Sequence, residues 1–360
     1  MKKKTISALV SAIVVIAAAL LGIPLYEETV APEPTTASTV APVTDDSFLM
    51  VHTIDVGQAD CILIECDGQT LLIDGGNRDD GQLVVSYLEQ QGIKTIDTVV
   101  CTHAHEDHVG GLPSVLAVYP VGKVYCPTKT YASKIFDSFL RYVDQQKLEV
   151  TLPVPGDTFA VGGATATILG PVTSYADPNN TSIVIRLDHG ENSFLFTGDM
   201  EIDAETDMMN HWNDDSRFQV DVLKMGHHGS STSTGYRLLN ATQASYALIP
   251  VGKDNDYGHP HRETLEKIRQ ASLIAMRTDE LGTILARSDG HELSFTWENQ
   301  SVTPEDLEPG EPLSYFGNKN SKTFHTSSCG SLPSEKNRVE FATYDEAIEA
   351  GYKPCSGCLK

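Results

Sequence analysis

The stretch VVCTHAHEDHVGGL, residues 99–112, places three histidines and two acids within residues 103–108, directly after an apolar run. Imidazole nitrogen suits zinc and other first-row metals, and carboxylate adds the oxygen ligands that manganese prefers. His103 and His105, two residues apart, can converge on one ion. Asp107 and His108 can then reach a second ion beside it. Two ions need further donors, and the chain offers them where other apolar strands end. Asp74 follows TLLI, Asp199 follows SFLFTG, and His227 and His228 follow DVLKMG. Taken alone, Asp199 also fits the N-cap of a helix over MEIDAETDMM, and the two roles are compatible.

The elements that must position these donors follow from hydrophobic patterning. CILIECDGQTLLIDGG reads as a hairpin with Asp67-Gly68 as its tight turn. IDTVVCT is a near-continuous apolar strand, as expected in a covered sheet. SIVIRLDHGENSFLFTGD and GTILARSDGHELSFTW are two more hairpins, turning near Gly190 and Asp289-Gly290. DVLKM and ASYALIPVG add strands. GQLVVSYLEQQG, YASKIFDSFLRYVDQQ and HRETLEKIRQ carry helical spacing. Mixed strands and helices of this kind predict an α/β (α+β) fold of sheets covered by helices.

The chain has 360 residues and a formal net charge of −23. Such acidity opposes tight non-specific binding of DNA by the chain as a whole. Lys2, Lys3 and Lys4 precede an uncharged run from Thr5 to Leu25, which fits a cleaved signal peptide or a membrane anchor (residues 1–25); either expects the remainder outside the cytoplasm. Residues 26–46, rich in Pro, Thr and acids, read as a disordered linker. A first domain is expected over 47–300, a second acidic, Pro-containing linker over 301–313, and a small module over 314–360. No further apolar span follows the N-terminal one, so the chain is not itself a membrane channel. Of the seven cysteines, Cys61, Cys66, Cys101 and Cys126 lie on apolar stretches and are expected to be small buried hydrophobes. Cys61 and Cys66 point to opposite faces of one strand, which argues against a disulfide between them.

In the C-terminal module, His325-x3-Cys329 is followed by Cys355-x2-Cys358. Two close pairs of N/S donors are a structural zinc signature, and a metal staple makes sense of a short segment with few apolar residues. A Cys355–Cys358 disulfide is the alternative outside the cell.

THAHEDHVGG, with LIDGG upstream and LFTGD downstream, resembles the metallo-β-lactamase fold superfamily. HTIDVGQAD, DVLKMGHHGSS and YGHPH resemble one branch of it, the extracellular hydrolase domain of ComEC-type DNA-uptake proteins, and also the phosphorylcholine esterases of pneumococcal type. The resemblance implies an αββα sandwich with the site at one edge of the packed sheets. It implies that His103 and His105 hold one ion, Asp107 and His108 the other, and that Asp199 bridges both. Many superfamily members supply another histidine between these motifs. Here only His189 is available, in a hairpin turn, and DPNNTSIVIRL occupies that region. The esterase-like branch then implies that Asp74 completes the first shell. The last ligand of the second ion is His228 or His227, with His228 favoured.

Two divalent ions, zinc or manganese, roughly 3.5–4 Å apart lower the pKa of a shared water and neutralise charge on substrate oxygens. Asp107 and Asp199 would orient that water. His259, in NDYGHPH, is the candidate acid for the leaving group or else a phosphate contact. Asn180, Ser182 and Ser230, with Ser231, are candidates for holding substrate oxygens.

The module resembles the zinc-binding domain of the Ada DNA-repair proteins, on FATYDEAIEAGYKPCSGC. His325 stands where that family has its methyl-accepting cysteine, so the repair activity is not carried over. What remains is one structural zinc in a small α+β domain whose near-balanced charge makes it the surface least repulsive to a polyanion. Three functions compete: an exported two-metal phosphodiesterase acting on DNA, a nuclease or competence-related enzyme; a hydrolase of another extracellular ester, such as a wall-linked phosphodiester; and a non-enzymatic DNA-binding surface protein.

Overall fold

The computed structural model describes residues 48–307, 314–327, 329–342 and 344–359. The leader or anchor expected over 1–25, the linker over 26–46, and the end of the 301–313 linker lie outside the described residues.

Two sheets stack face to face. The first holds, in spatial order, Leu293–Trp297, Ile284–Ser288, Leu49–Thr53, Ile62–Cys66, Gln69–Ile73, Ile96–Val100, Val121–Tyr125 and Val150–Thr151. The second holds Ile274–Arg277, Tyr246–Ile249, Val222–Lys224, Asn192–Phe196, Val184–His189, Ala164–Gly170 and Thr158–Val161. Side-chain alternation assigns the faces. Ile62, Ile64, Leu71, Ile73 and Val100 meet Ile185, Phe194 and Phe196 between the sheets. Leu63, Leu72 and Val99 turn outward onto Val84, Leu88, Val115 and Phe139 of covering helices. On the second sheet's outer face, Leu195 and Leu223 pack against Met208, Leu239 and Ile268. The result is the αββα sandwich expected.

The predicted hairpin over residues 61–76 forms, and its turn residues Asp67 and Gly68 both have positive φ, as a two-residue turn of matching twist requires. The expected helices run Gly81–Gln90, Lys134–Gln145 and Arg262–Gln270. Asp199 is not a helix cap; Glu201 occupies the N-cap position of the following helix, Ile202–Trp212, without a side-chain capping bond. Cys61 belongs to the core under the helices and Cys66 to the core between the sheets, and no disulfide joins them.

The segment read as a linker begins in ordered form. Pro304–Leu307 makes a 3-10 turn, Val302 and Leu307 pack on the inter-sheet core, and Trp297 Nε1 donates to Val302 O. The C-terminal module is a four-stranded sheet in the order Arg338–Phe341, Tyr315–Asn318, Thr323–Thr326 and Lys353–Pro354, with the helix Tyr344–Glu349. Its core of Tyr315, Phe324, Phe341, Ala347 and Tyr352 also contains Tyr236 of the sandwich.

Candidate metal centre

Strand direction brings the donors together. Gln69–Ile73 runs parallel to Ile96–Val100, so Asp74 and the His103–His108 loop leave the same edge of the first sheet. Asn192–Phe196 runs parallel to Val222–Lys224, which does the same for Asp199 and the His227-His228 turn. The glycines flanking the motifs allow the loops to touch. A Cβ on Gly111 would lie 2.0 Å from Gly75 O, so the two loops pack backbone against backbone.

Asp107, His108, Asp199 and His228 each offer a ligand atom, and these atoms all lie within 4.8 Å of one another. His108 Nε2 is 3.2 Å from Asp199 Oδ2, and His228 Nε2 is 3.3 Å from Asp107 Oδ2. His103 Nε2 stands 3.1 Å from His105 Nδ1 and 3.9 Å from Asp199 Oδ2, so Asp199 lies between the two histidine groups. His227 Nε2 is 3.7 Å from Asp199 Oδ2, but its Nδ1 faces Glu201 at 3.4 Å and the ring is a quarter exposed. The buried His228 is the histidine of this turn that joins the cluster.

The charge balance fits cations. Burial lowers the pKa of His108, yet Asp199, Asp74 and Asp107 outweigh it and hold the imidazolium well above its usual range. His228 is likewise pushed up to about 10, burial being overcome by Asp199 and Asp60. Asp199 is held well below the usual carboxylate range because His108, His228 and His103 outweigh its burial. Histidines that must borrow protons to neutralise buried carboxylates mark a place where a metal ion would serve instead. His108 Nε2 is also buried without a hydrogen bond, as expected of a nitrogen that would bind an ion.

Asp74 departs from its expected role as a ligand. Its Oδ1 accepts from Thr102 N at 2.7 Å, and its Oδ2 accepts from Thr102 Oγ1 at 2.6 Å and pairs with His108 Nδ1 at 2.8 Å. It therefore sits behind the His108 ring, on the far side from the Nε2 that faces Asp199. Its chemistry is to orient His108 and fix which nitrogen is presented.

His228 Nδ1 is held instead by Pro250 O at 3.0 Å, with Asp60 beside it as a charge partner that the sequence alone does not single out. Asp60 Oδ1 is 3.2 Å from His228 Nδ1, and its Oδ2 is 2.5 Å from the buried Lys224 Nζ. Burial raises the Asp60 carboxyl, but Lys224 and His228 outweigh it and hold it low. Lys224 also donates to Gly198 O, tying the two strand ends together. Both residues lie inside branch-specific motifs, HTIDVGQAD and DVLKMGHHGSS, which was the available signal.

The centre opens into a cleft of about 630 Å³ lined by His105, Asp107, Asp199, His227, His228 and His259, with Tyr131 and Tyr257 also in its walls. Gln58 Oε1 accepts from Gly252 N, which turns its Nε2 donor toward His259 Nδ1 at 3.4 Å. That leaves the proton of His259 on Nε2. Burial, with His227, His261 and His228 nearby, lowers its pKa to about 4. His259 is thus neutral near pH 7 and offers the cleft an Nε2–H donor.

Three expected substrate contacts are turned inward instead. Asn180 Oδ1 accepts from Glu201 N at 3.1 Å, while its neighbour Asn179 lines the cleft. Ser182 Oγ accepts from Asp199 N at 3.0 Å and sits 3.5 Å from His103 Nδ1, so it positions two metal-centre residues. Ser230 Oγ is 3.0 Å from Thr232 Oγ1 and buried. Each satisfies a turn that would otherwise bury unpaired polar groups.

In the module, His325, Cys329, Cys355 and Cys358 place their ligand atoms within the same 4.8 Å limit. His325 Nδ1 is 3.3 Å from Cys329 Sγ, and Gly357 N donates to Cys355 Sγ at 3.4 Å. Backbone donors aimed at thiolates and four converging N/S ligands suit a structural zinc. The three cysteines are free rather than bridged.

A family model described as the metallo-β-lactamase superfamily matches residues 54–253, and one described as the metal-binding domain of Ada matches 313–360. ComE operon protein 3 of Bacillus subtilis is 29% identical over 66% of this chain, and Recombination protein 2 of Haemophilus influenzae is 30% identical over 65%. The matched regions span 33% and 28% of those relatives' own lengths. Among solved structures, the metallo-β-lactamase fold protein YhfI from Bacillus subtilis aligns with a TM-score of 0.41 at 14% identity, over 61% of this chain and 92% of that one. From its sandwich, the donor-bearing edge of that sandwich and the match over residues 54–253, the chain belongs to the metallo-β-lactamase superfamily and carries an Ada-like metal-binding domain at its C-terminal end.

Proposed function

We propose that this hydrolase is an exported, two-metal phosphodiesterase whose substrate is DNA. The observation that carries the reading is the cluster of Asp107, His108, Asp199 and His228, with His103 and His105 on the other side of Asp199. His103, His105 and Asp199 would hold one ion; Asp107, His108, Asp199 and His228 would hold the other, with zinc and manganese both suited to such N/O donors. When bound, such ions polarise phosphoryl oxygens and lower the pKa of water.

The chain's own residues supply the rest. Asp107, the carboxylate of the cluster that is about a third exposed to the cleft, would accept the proton of the attacking water at Oδ1, the oxygen not turned to His108 and His228. His259 Nε2–H donates to a substrate oxygen. Asp74 keeps His108, and Pro250 O with Asp60 beside it keeps His228, in the orientation that presents Nε2. DNA as substrate is supported by similarity to proteins named for competence and recombination, such as Competence protein ComA of Neisseria gonorrhoeae, and by the metal-binding module beside the centre. Export, or anchoring to a membrane, is supported by the basic start and uncharged run over residues 2–25.

The acidic charge of −23 favours a second reading, a small or wall-linked phosphodiester, since a polyanion would be repelled over most of the surface. One assay separates them. The purified protein is given manganese or zinc with single-stranded DNA, double-stranded DNA and a small phosphodiester. Cleavage of DNA that is lost in His105→Ala supports the first reading. Turnover of the small diester alone supports the second. Metal-loaded protein that binds DNA and turns over nothing overturns both.

A further inference from the structure

The turn that carries His227 and His228 is held in an unusual backbone state. His227, His228 and Thr234 all have positive φ, as does Gly229. Non-glycine residues avoid that region, and several so close together persist only where the surroundings over-determine them. From the sandwich, Thr234 Oγ1 accepts from Gly226 N at 2.9 Å. The buried Lys267 Nζ donates to Ser233 O and Thr234 O at 2.9 and 2.6 Å. Both carboxylate oxygens of the buried Glu205 accept from Gly235 N, at 3.1 and 3.0 Å. His261 Nδ1 accepts from Ser231 N at 2.9 Å.

The next residue, Tyr236, opens the helix Tyr236–Thr242, whose Leu238 and Leu239 pack on the sandwich while the Tyr236 ring turns to the C-terminal module. Its ring is only 6% exposed because it lies in the core of the C-terminal module, stacked on Tyr344 at 5.6 Å and 4°. Ser231 and Thr232 of the same loop face Cys329, Cys355 and Cys358 across a groove of about 580 Å³. Thr232 Oγ1 in turn donates to Glu201 Oε1, the atom that faces His227.

We propose that the C-terminal module is a brace for the metal centre: by seating Tyr236 it fixes the far end of the 226–235 loop, and so sets how firmly His228 is presented. Tyr236 and Tyr344 are positioning residues; neither touches the centre. The inference rests on the reading of His228 as a ligand. It gives the module a task that needs no contact with substrate, and it couples the module's own His–Cys site to the centre through one shared aromatic stack.

The test uses the full chain and two variants altered on the module alone, Tyr344→Ala and Cys358→Ser, with Tyr344→Phe as the conservative control. Two readouts are taken, amide hydrogen exchange over residues 226–235 and manganese affinity at the hydrolase centre followed by electron paramagnetic resonance. Both variants should speed exchange in that loop and weaken manganese binding about tenfold, the usual effect of losing support behind a ligand, and Tyr344→Phe should restore both. The brace is overturned if loop exchange and affinity stay at wild-type values in both variants. It is equally overturned if exchange rises uniformly over 48–300, which would be general destabilisation. Wild-type protein that takes up no manganese at the centre would sink the metal-centre reading instead, and the exchange measurement would still decide the brace.

Discussion

The two donor clusters of this chain are built on opposite principles. At the hydrolase centre, donors from three strand ends converge on a sandwich that already has three apolar cores, so the fold exists first and presents the ligands. In the module, one strand and two short turns carry the four donors and the apolar core is a handful of aromatic and small residues, one of them borrowed from the sandwich. There a bound metal would be part of the core. A cation should therefore be dispensable for the shape of one region and indispensable for the other.

The strongest way to break that contrast is to remove the module's thiolates. Changing Cys355 and Cys358 together to serine should forfeit on the order of 10 kcal/mol of metal-linked folding energy and unfold the module. Limited proteolysis should then cut within 314–359 while the sandwich survives. Survival of a protease-resistant module without these ligands would erase the distinction. Next comes Asp199→Ala, which should lower kcat/KM for a phosphodiester about a thousandfold, or about 4 kcal/mol, with the thermal midpoint of the sandwich nearly unmoved. A collapse of the midpoint would mean that the centre, too, is a folding element.

A third prediction sharpens what the sandwich does need. Lys224→Met leaves Asp60 buried and uncompensated, and denaturant unfolding should report a loss of about 3 kcal/mol. Adding Asp60→Asn should recover much of that loss, because the two residues act as a pair. The smallest effect is expected at Asp74→Asn, which keeps the shape but weakens the hold on His108 Nδ1. Metal titration should show about a tenfold loss of affinity, about 1.4 kcal/mol, with little change in stability. An unaltered affinity would mean that Asp74 does not orient His108.

How much of this was legible depended on whether the information was local. His103, His105, Asp107 and His108 sit in one loop, and the strand-end positions of Asp74, Asp199 and His228 follow from hydrophobic runs, so the cluster could be read from the chain. The role of Asp74 could not. A carboxylate that binds an ion and one that orients the ligand differ by which side of the His108 ring it occupies, and that is decided by the close packing of the two loops. Asn180, Ser182 and Ser230 failed for a related reason: hydroxyl and amide groups beside tight turns are drawn to the backbone. Asp60 and Lys224 are far apart in sequence and meet only because both sheets end at one rim. Nothing in the residues around Tyr236 signals that its ring belongs to another domain's core.

The shared tyrosine also bears on how the protein can be divided. A chain cut after residue 307 would keep every proposed hydrolase ligand yet leave the Tyr236 ring, now buried, standing in water at the head of its helix. Such a fragment should be stickier than the parent, with dimers or aggregates growing from that one uncovered patch, and a polar replacement at 236 should be the simplest route to a well-behaved hydrolase half.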